Sequence, residues 1–126
     1  MKKILVAEDD NFLANAYRLK LTKAEFEVKL VTDGEEALQA LQTFTPDLII
    51  LDLVMPKKDG FAVLEELKNS DKWKHIPVLV ASNLGQSEDI VKATKLGADD
   101  YIVKTDLSMK NLLVKINSFL QPISKP

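Results

Sequence analysis

The chain contains no cysteine, which removes thiolate metal sites, cysteine nucleophiles and disulfide staples from consideration. It also lacks a basic excess. Seventeen Lys and Arg face 19 Asp and Glu, giving a net charge of -2 and a pI near 5.4. No overall positive field therefore favours nucleic acid or anionic lipid. No apolar run approaches the roughly 20 residues that cross a bilayer. The opening MKKILVAEDD has the basic start of a signal peptide, but the apolar stretch Ile4 to Ala7 is far too short and acids follow at once. Repeats and low-complexity segments are missing too. These absences set the expectation of a cytoplasmic protein with no direct nucleic-acid or membrane contact by these residues. What is present is a 126-residue chain, 46% hydrophobic and 29% charged, which suits one domain with a core large enough to need no staple.

Two patterns alternate along it. Short apolar runs occur at Ile4 to Ala7, Leu48 to Leu51, Val78 to Ala81 and Tyr101 to Val103, with a weaker alternating run at Val28 to Val31. Runs without polar alternation suit strands covered on both faces. Between them lie helix-period stripes: Leu13, Ala16, Tyr17, Leu21 and Ala24 after Asp10 or Asn11; Ala37, Leu38 and Leu41 after Asp33; Phe61, Leu64 and Leu67; and Ile90, Ala93 and Leu96, stopping at Gly97. A last helix capped by Ser108 aligns Leu112, Leu113, Ile116, Phe119 and Leu120. Five strands alternating with five helices predict an α/β fold, a doubly wound five-stranded parallel sheet in the flavodoxin-like (βα)5 order 2-1-3-4-5. The domain is placed at residues 1–121. Two prolines in Gln121 to Pro126 stop the helix, leaving 122–126 as a tail or linker stub.

Ligands of such sheets bind beyond the carboxyl ends of the strands, where strand order reverses. Strand 1 ends there in Glu8, Asp9 and Asp10, strand 3 in Asp52, strand 4 in Ser82 and Asn83, and strand 5 in Lys104. Adjacent strands lie about 4.8 Å apart, so these acids repel unless a proton or a cation neutralises them. An all-oxygen cluster with few ligands suits Mg²⁺, or Mn²⁺, better than Ca²⁺. Asp52, in the middle of the row, is a candidate nucleophile toward phosphorus, with Lys104 and the Ser82 hydroxyl holding phosphoryl oxygens. No histidine stands near the set to act as a base, because His75 precedes strand 4 at its other end. Each residue alone has a plainer reading. Asp10 or Asn11 caps the first helix, Glu8 and Asp9 are solvated acids, Lys104 is a surface lysine, and Ser82 is a turn residue. Tyr101 is a half-buried strand aromatic, and Trp73 covers the core near the start of strand 4. Their convergence on one rim favours a site.

The pieces ILVAEDD, PDLIILDLVMPKKDG, IPVLVASN and LGADDYIVK resemble the receiver domains of two-component response regulators over nearly the whole chain. The second piece is the most specific. The resemblance implies that Asp52 is the phosphoacceptor, that Asp9 binds the metal directly and Glu8 through water, and that the backbone carbonyl of Val54 completes the metal site. It makes Ser82 and Tyr101 the switch pair and Lys104 the phosphoryl-binding lysine. It implies a histidine kinase or phosphotransfer protein as donor, a signalling switch rather than a turnover enzyme, and output through helix 4, strand 5 and helix 5 to an output domain or target protein that the residues do not name.

Four positions depart from that pattern: Thr105 replaces the usual proline after the lysine, Asn83 follows the switch hydroxyl and narrows access, and Val54 and Leu84 are apolar where the family tunes hydrolysis. Slow self-dephosphorylation is the expectation. Asp100 and Lys115 are placed to pair across a phosphorylation-dependent homodimer. Three rivals share parts of this pattern. A haloacid-dehalogenase-like phosphohydrolase wants an aspartate where Val54 stands, a phosphorylation-independent binding module usually loses the acceptor or the acidic pair, and a flavodoxin-like cofactor binder needs a phosphate loop after strand 1.

Overall fold

A computed structural model describes residues 1–106 and 108–120. The elements run β1 (Lys3–Ala7), α1 (Asn11–Lys23), β2 (Glu27–Val31), α2 (Gly34–Ala40), β3 (Leu48–Leu51), α3 (Gly60–Lys68), β4 (Val78–Ser82), α4 (Ser87–Leu96), β5 (Asp100–Val103), a 3-10 turn (Lys104–Asp106) and α5 (Met109–Leu120). All strand pairs are parallel, and the sheet order β2-β1-β3-β4-β5 is the one expected. The tail from Gln121 lies outside the described residues.

Alternation along the strands divides the core into two layers. Leu5, Ala7, Ile49, Leu51, Val78 and Val80 pack under α2, α3 and α4 with Ala37, Leu64, Leu67 and Ala93. Ile4, Val6, Leu48, Ile50, Leu79 and Ala81 pack under α1 and α5 with Tyr17, Leu21, Leu112 and Ile116. Burying each large aliphatic side chain contributes about 1.5–3 kcal/mol, so both layers are needed for the sheet to stand.

Helix starts follow capping chemistry. The Asp10 carboxylate accepts from the Phe12 and Leu13 amides at 2.9 and 3.1 Å, so Asp10 rather than Asn11 caps α1. Asp33 and Asp59 cap α2 and α3 in the same way, and the Ser108 hydroxyl accepts from the Asn111 amide at 3.1 Å. Helix α4 is the exception: Gln86 makes no side-chain cap bond, and only Ala93 is fully buried. Gly97 closes α4 at φ 112°, a left-handed backbone that glycine adopts without strain.

Two stripe expectations need correction. Ala24 is exposed because α1 stops at Lys23 and the chain turns through Glu25 at φ 71°, so Phe26 takes the core position. Ala14, left out of the stripe, is buried.

Candidate functional site at the carboxyl rim

Strand register brings the acids together. Ala7 pairs with Leu51, the Asp52 amide donates to the Ala7 carbonyl at 3.1 Å, and the Glu8 amide donates to the Val31 carbonyl at 3.0 Å. Ser82 pairs with Val103, which sets Lys104 at the same height one residue on. Glu8 is 1% exposed and Asp52 4%, whereas Asp9 and Asp10 are exposed. Lys104 joins the two buried acids: its Nζ lies 2.6 Å from Glu8 Oε1 and 2.9 Å from Asp52 Oδ2. The Asp10 amide donates to Glu8 Oε2 at 3.1 Å, and the Val54 amide donates to Asp52 Oδ1 at 3.2 Å.

The backbone beneath Asp52 is held by close approach. A Cβ on Gly60 would sit 2.1 Å from the Asp52 carbonyl oxygen, and one on Gly34 would sit 2.0 Å from that of Lys58. Both positions admit only hydrogen. The loop from Leu53 to Asp59 is thereby pressed between the starts of α2 and α3, and the Gly60 amide donates to the Leu53 carbonyl at 2.9 Å.

Burial pushes the Glu8 carboxyl above the ordinary carboxylate range, against the pull of Lys104 and the Asp10 amide, and the Asp52 charge adds to the rise. Burial works against the Lys104 ammonium, but its bonds to Glu8 and Asp52 outweigh that and raise its pKa. Tyr101 is raised by burial and then by Asp89. Its hydroxyl donates to the Leu84 carbonyl, and the Leu84 amide donates to the Ser82 hydroxyl at 3.3 Å. The switch candidates Ser82 and Tyr101 thus meet through the loop after β4.

Three carboxylates, from Glu8, Asp9 and Asp52, each offer an oxygen within 4.8 Å of the others. Set against Lys104 they leave two negative charges, and they line a cavity of about 380 Å³ together with Asp10, Val54, Asn83 and Lys104. Hard oxygen donors, a surplus of two charges and open space suit a small hydrated dication. The structure brings the acids and Lys104 to one rim, where the strand pattern predicts them. The direct contacts of Lys104 with Glu8 and Asp52 were not foreseen, because a lysine's reach across two strands leaves no periodic signal. His75 is exposed in the turn before β4, and Trp73 packs against the core. No cis peptide occurs among the described residues, and Thr105 follows Lys104 in a 3-10 turn. Asp100 and Lys115 already pair within the chain at 2.7 Å, so a cross-dimer pair would have to replace this contact.

Residues 4–117 match the family model described as the response regulator receiver domain. The chain belongs to that family. It is 39% identical over 125 residues to a probable transcriptional regulator, ycf27, of Cyanophora paradoxa, covering 99% of this chain and 51% of the relative. It is 33% identical over 121 residues to the DNA-binding dual master transcriptional regulator RpaA of Synechocystis, covering 96% and 50%. The receiver domain thus spans about half the length of the curated relatives it matches. Among solved structures it resembles the phosphorylated cyanobacterial phytochrome response regulator RcpA (TM-score 0.85, 33% identity, 99% of this chain and 98% of that one). It likewise resembles the Mn²⁺-bound response regulator Rcp1 (TM-score 0.86, 30% identity, 100% and 99%). No helix among the described residues is long and apolar enough to cross a membrane.

Proposed function

We propose that this receiver domain is a cytoplasmic phosphorylation switch, with Asp52 accepting a phosphoryl group from a histidine kinase or a phosphotransfer protein. The observation that carries the reading is Lys104 seated between Glu8 and Asp52 beside the exposed Asp9. An Asp52 carboxylate oxygen attacks phosphorus, the bond from phosphorus to the donor's imidazole nitrogen breaks, and its electron pair returns to the imidazole. Glu8, Asp9, Asp52 and the Val54 carbonyl would hold Mg²⁺ or Mn²⁺, which when bound neutralises phosphoryl oxygens. Lys104 pairs with a further phosphoryl oxygen, and the Ser82 hydroxyl takes another as Tyr101 follows the loop inward. Each phosphorylation adds about 1.5 to 2 negative charges, which bias an existing two-state equilibrium.

The signal leaves through α4, β5 and α5 to an output domain or target protein, with phosphorylation-dependent homodimerisation as one form of that output. DNA binding such as that named for RpaA would come from another domain or partner, since this chain carries a net charge of -2. Val54, 56% exposed at the mouth, and Leu84 offer no polar group to orient an attacking water, so release of the phosphoryl group is slow and the domain acts as a switch rather than a turnover enzyme. Intact mass after incubation with acetyl phosphate or phosphoramidate tests the reading. One labile phosphoryl group is expected, dependent on Mg²⁺ and missing from Asp52→Asn. A folded, cation-loaded wild type that gains no mass would leave a phosphorylation-independent binding module instead.

A further inference from the structure

Among the described residues one buried side-chain polar atom has no hydrogen-bond partner, the hydroxyl of Tyr17. The residue is fully buried, and its place in the apolar stripe of α1 accounts for the ring but not for the oxygen. A phenol buried with its O–H unpaired is unfavourable, and such groups ordinarily find a protein or water partner.

Position in the fold says where that partner lies. Helical side chains lean toward the helix N-terminus, and α1 begins at the carboxyl rim just after Asp10. The Tyr17 ring therefore rises from its place in the α1 and α5 layer toward the rim. That layer also holds Ile4 and Val6 of β1, Leu48 and Ile50 of β3 and Ile102 of β5. Continuing the alternation by one step puts Glu8, Asp52 and Lys104 on the same face, directly above. The charges that act on the phenol agree with this: burial raises its pKa most, followed by Glu8 and then Asp52, so it stays a protonated donor. Glu8 has capacity to receive it. One of its oxygens takes Lys104 and the other the Asp10 amide, whereas a carboxylate offers about four acceptor positions.

We propose that Tyr17 is a positioning residue of the cation site, its buried hydroxyl donating through one internal water to the Glu8 carboxylate. The inference rests on the cation-binding reading given above. A water between a phenol, a carboxylate and the neighbouring ammonium has the two to four polar partners that internal waters require. The hydroxyl fixes the orientation of Glu8 from below while Lys104 holds it from the side. Partners behind a metal-binding group commonly matter about tenfold or more for affinity.

Mn²⁺ titration of the unphosphorylated protein by calorimetry tests this with the Tyr17→Phe variant, which removes only the oxygen. About tenfold weaker Mn²⁺ binding is expected, with circular dichroism still reporting a folded domain. A second measurement reads Tyr17 directly. The chain has two tyrosines, so in a Tyr101→Phe background Tyr17 is the only one, and Mn²⁺ addition should produce a near-ultraviolet tyrosine difference band. Equal affinities for wild type and Tyr17→Phe, or a silent tyrosine spectrum during cation binding, would overturn the inference and leave the cation site standing. A wild-type protein that binds no Mn²⁺ would overturn the cation reading and this inference with it.

Discussion

Two lysines sit at opposite ends of the sheet, and each gathers several oxygens, with opposite consequences. At the amino end, Lys68 donates to the carbonyls of Lys74 and Ile76 and to Asp99 Oδ2, at 3.2, 3.0 and 3.1 Å. Asp99 Oδ2 also accepts from the Val78 amide at 2.8 Å. One positive charge meets one negative charge, and main-chain groups complete the shell. A Cβ on Gly97 would sit 2.6 Å from Lys68 Cγ, so the stem has a fitted groove. At the carboxyl end, Lys104 meets two buried carboxylates with a third alongside. The first cluster is neutral, which makes it a fastening between α3, β4 and the start of β5. The second carries surplus negative charge beside a cavity, which is what the proposed cation site requires. Charge balance, rather than the number of hydrogen bonds, is what distinguishes the two lysine clusters.

Substitution at the two lysines should therefore give opposite phenotypes. Lys104→Met should lower the rate of phosphoryl uptake from phosphoramidate by about 100-fold or more, as loss of a preorganised charge partner does, while circular dichroism still reports a folded domain. Gly60→Ala should cost about 3 kcal/mol in urea unfolding, because the new methyl meets the Asp52 carbonyl and the packed loop cannot retreat. Lys68→Met should cost about 2 kcal/mol through loss of charge-assisted hydrogen bonds, with uptake within about twofold of wild type. Unchanged uptake in Lys104→Met combined with lost uptake in Lys68→Met would reverse the assignment.

The pH dependence of stability sharpens the contrast. Burial raises the folded-state pKa of Glu8, so its contribution is fully present below about pH 4.3 and is lost as pH rises through the folded value. Without cation, the urea midpoint of the wild type should therefore fall relative to that of Glu8→Gln as pH rises above about 4.3. A parallel pair of urea-midpoint curves would show that Glu8 is not held in this way. Lys104 is raised as well. Its contribution persists below the ordinary lysine range and disappears only as alkaline pH passes its folded value. The smallest effect belongs to Lys115→Ala. Its partner Asp100 is about one-third exposed, and such surface pairs contribute about 0.5 kcal/mol. A larger loss in thermal unfolding would give this pair a structural role it lacks on geometry.

The strand runs were legible because apolar stretches such as Leu48 to Leu51 have few alternatives in a chain of this composition. The acid row was legible for a related reason. Fold rules send strand ends to one rim, and Glu8, Asp9, Asp52 and Lys104 all terminate strands. Contacts made by long side chains across the fold were not legible. Nothing in the spacing of Lys68 and Asp99 announces their pairing, and Lys104 gave no sign of either carboxylate partner. Tyr17 was read as one more apolar position, since periodicity reports a ring and is blind to its hydroxyl. Ala24 failed for a local reason: the helix ended one residue earlier than the stripe.

Helix α4 has a consequence in terms of local opening. It buries one side chain fully and starts without a side-chain cap, whereas α1 buries three residues and is capped by Asp10. Its amides should exchange with solvent through excursions far smaller than global unfolding. On the proposed reading, a helix held by so little packing would answer the charge added at Asp52 with a large displacement, since few contacts have to be undone before it moves.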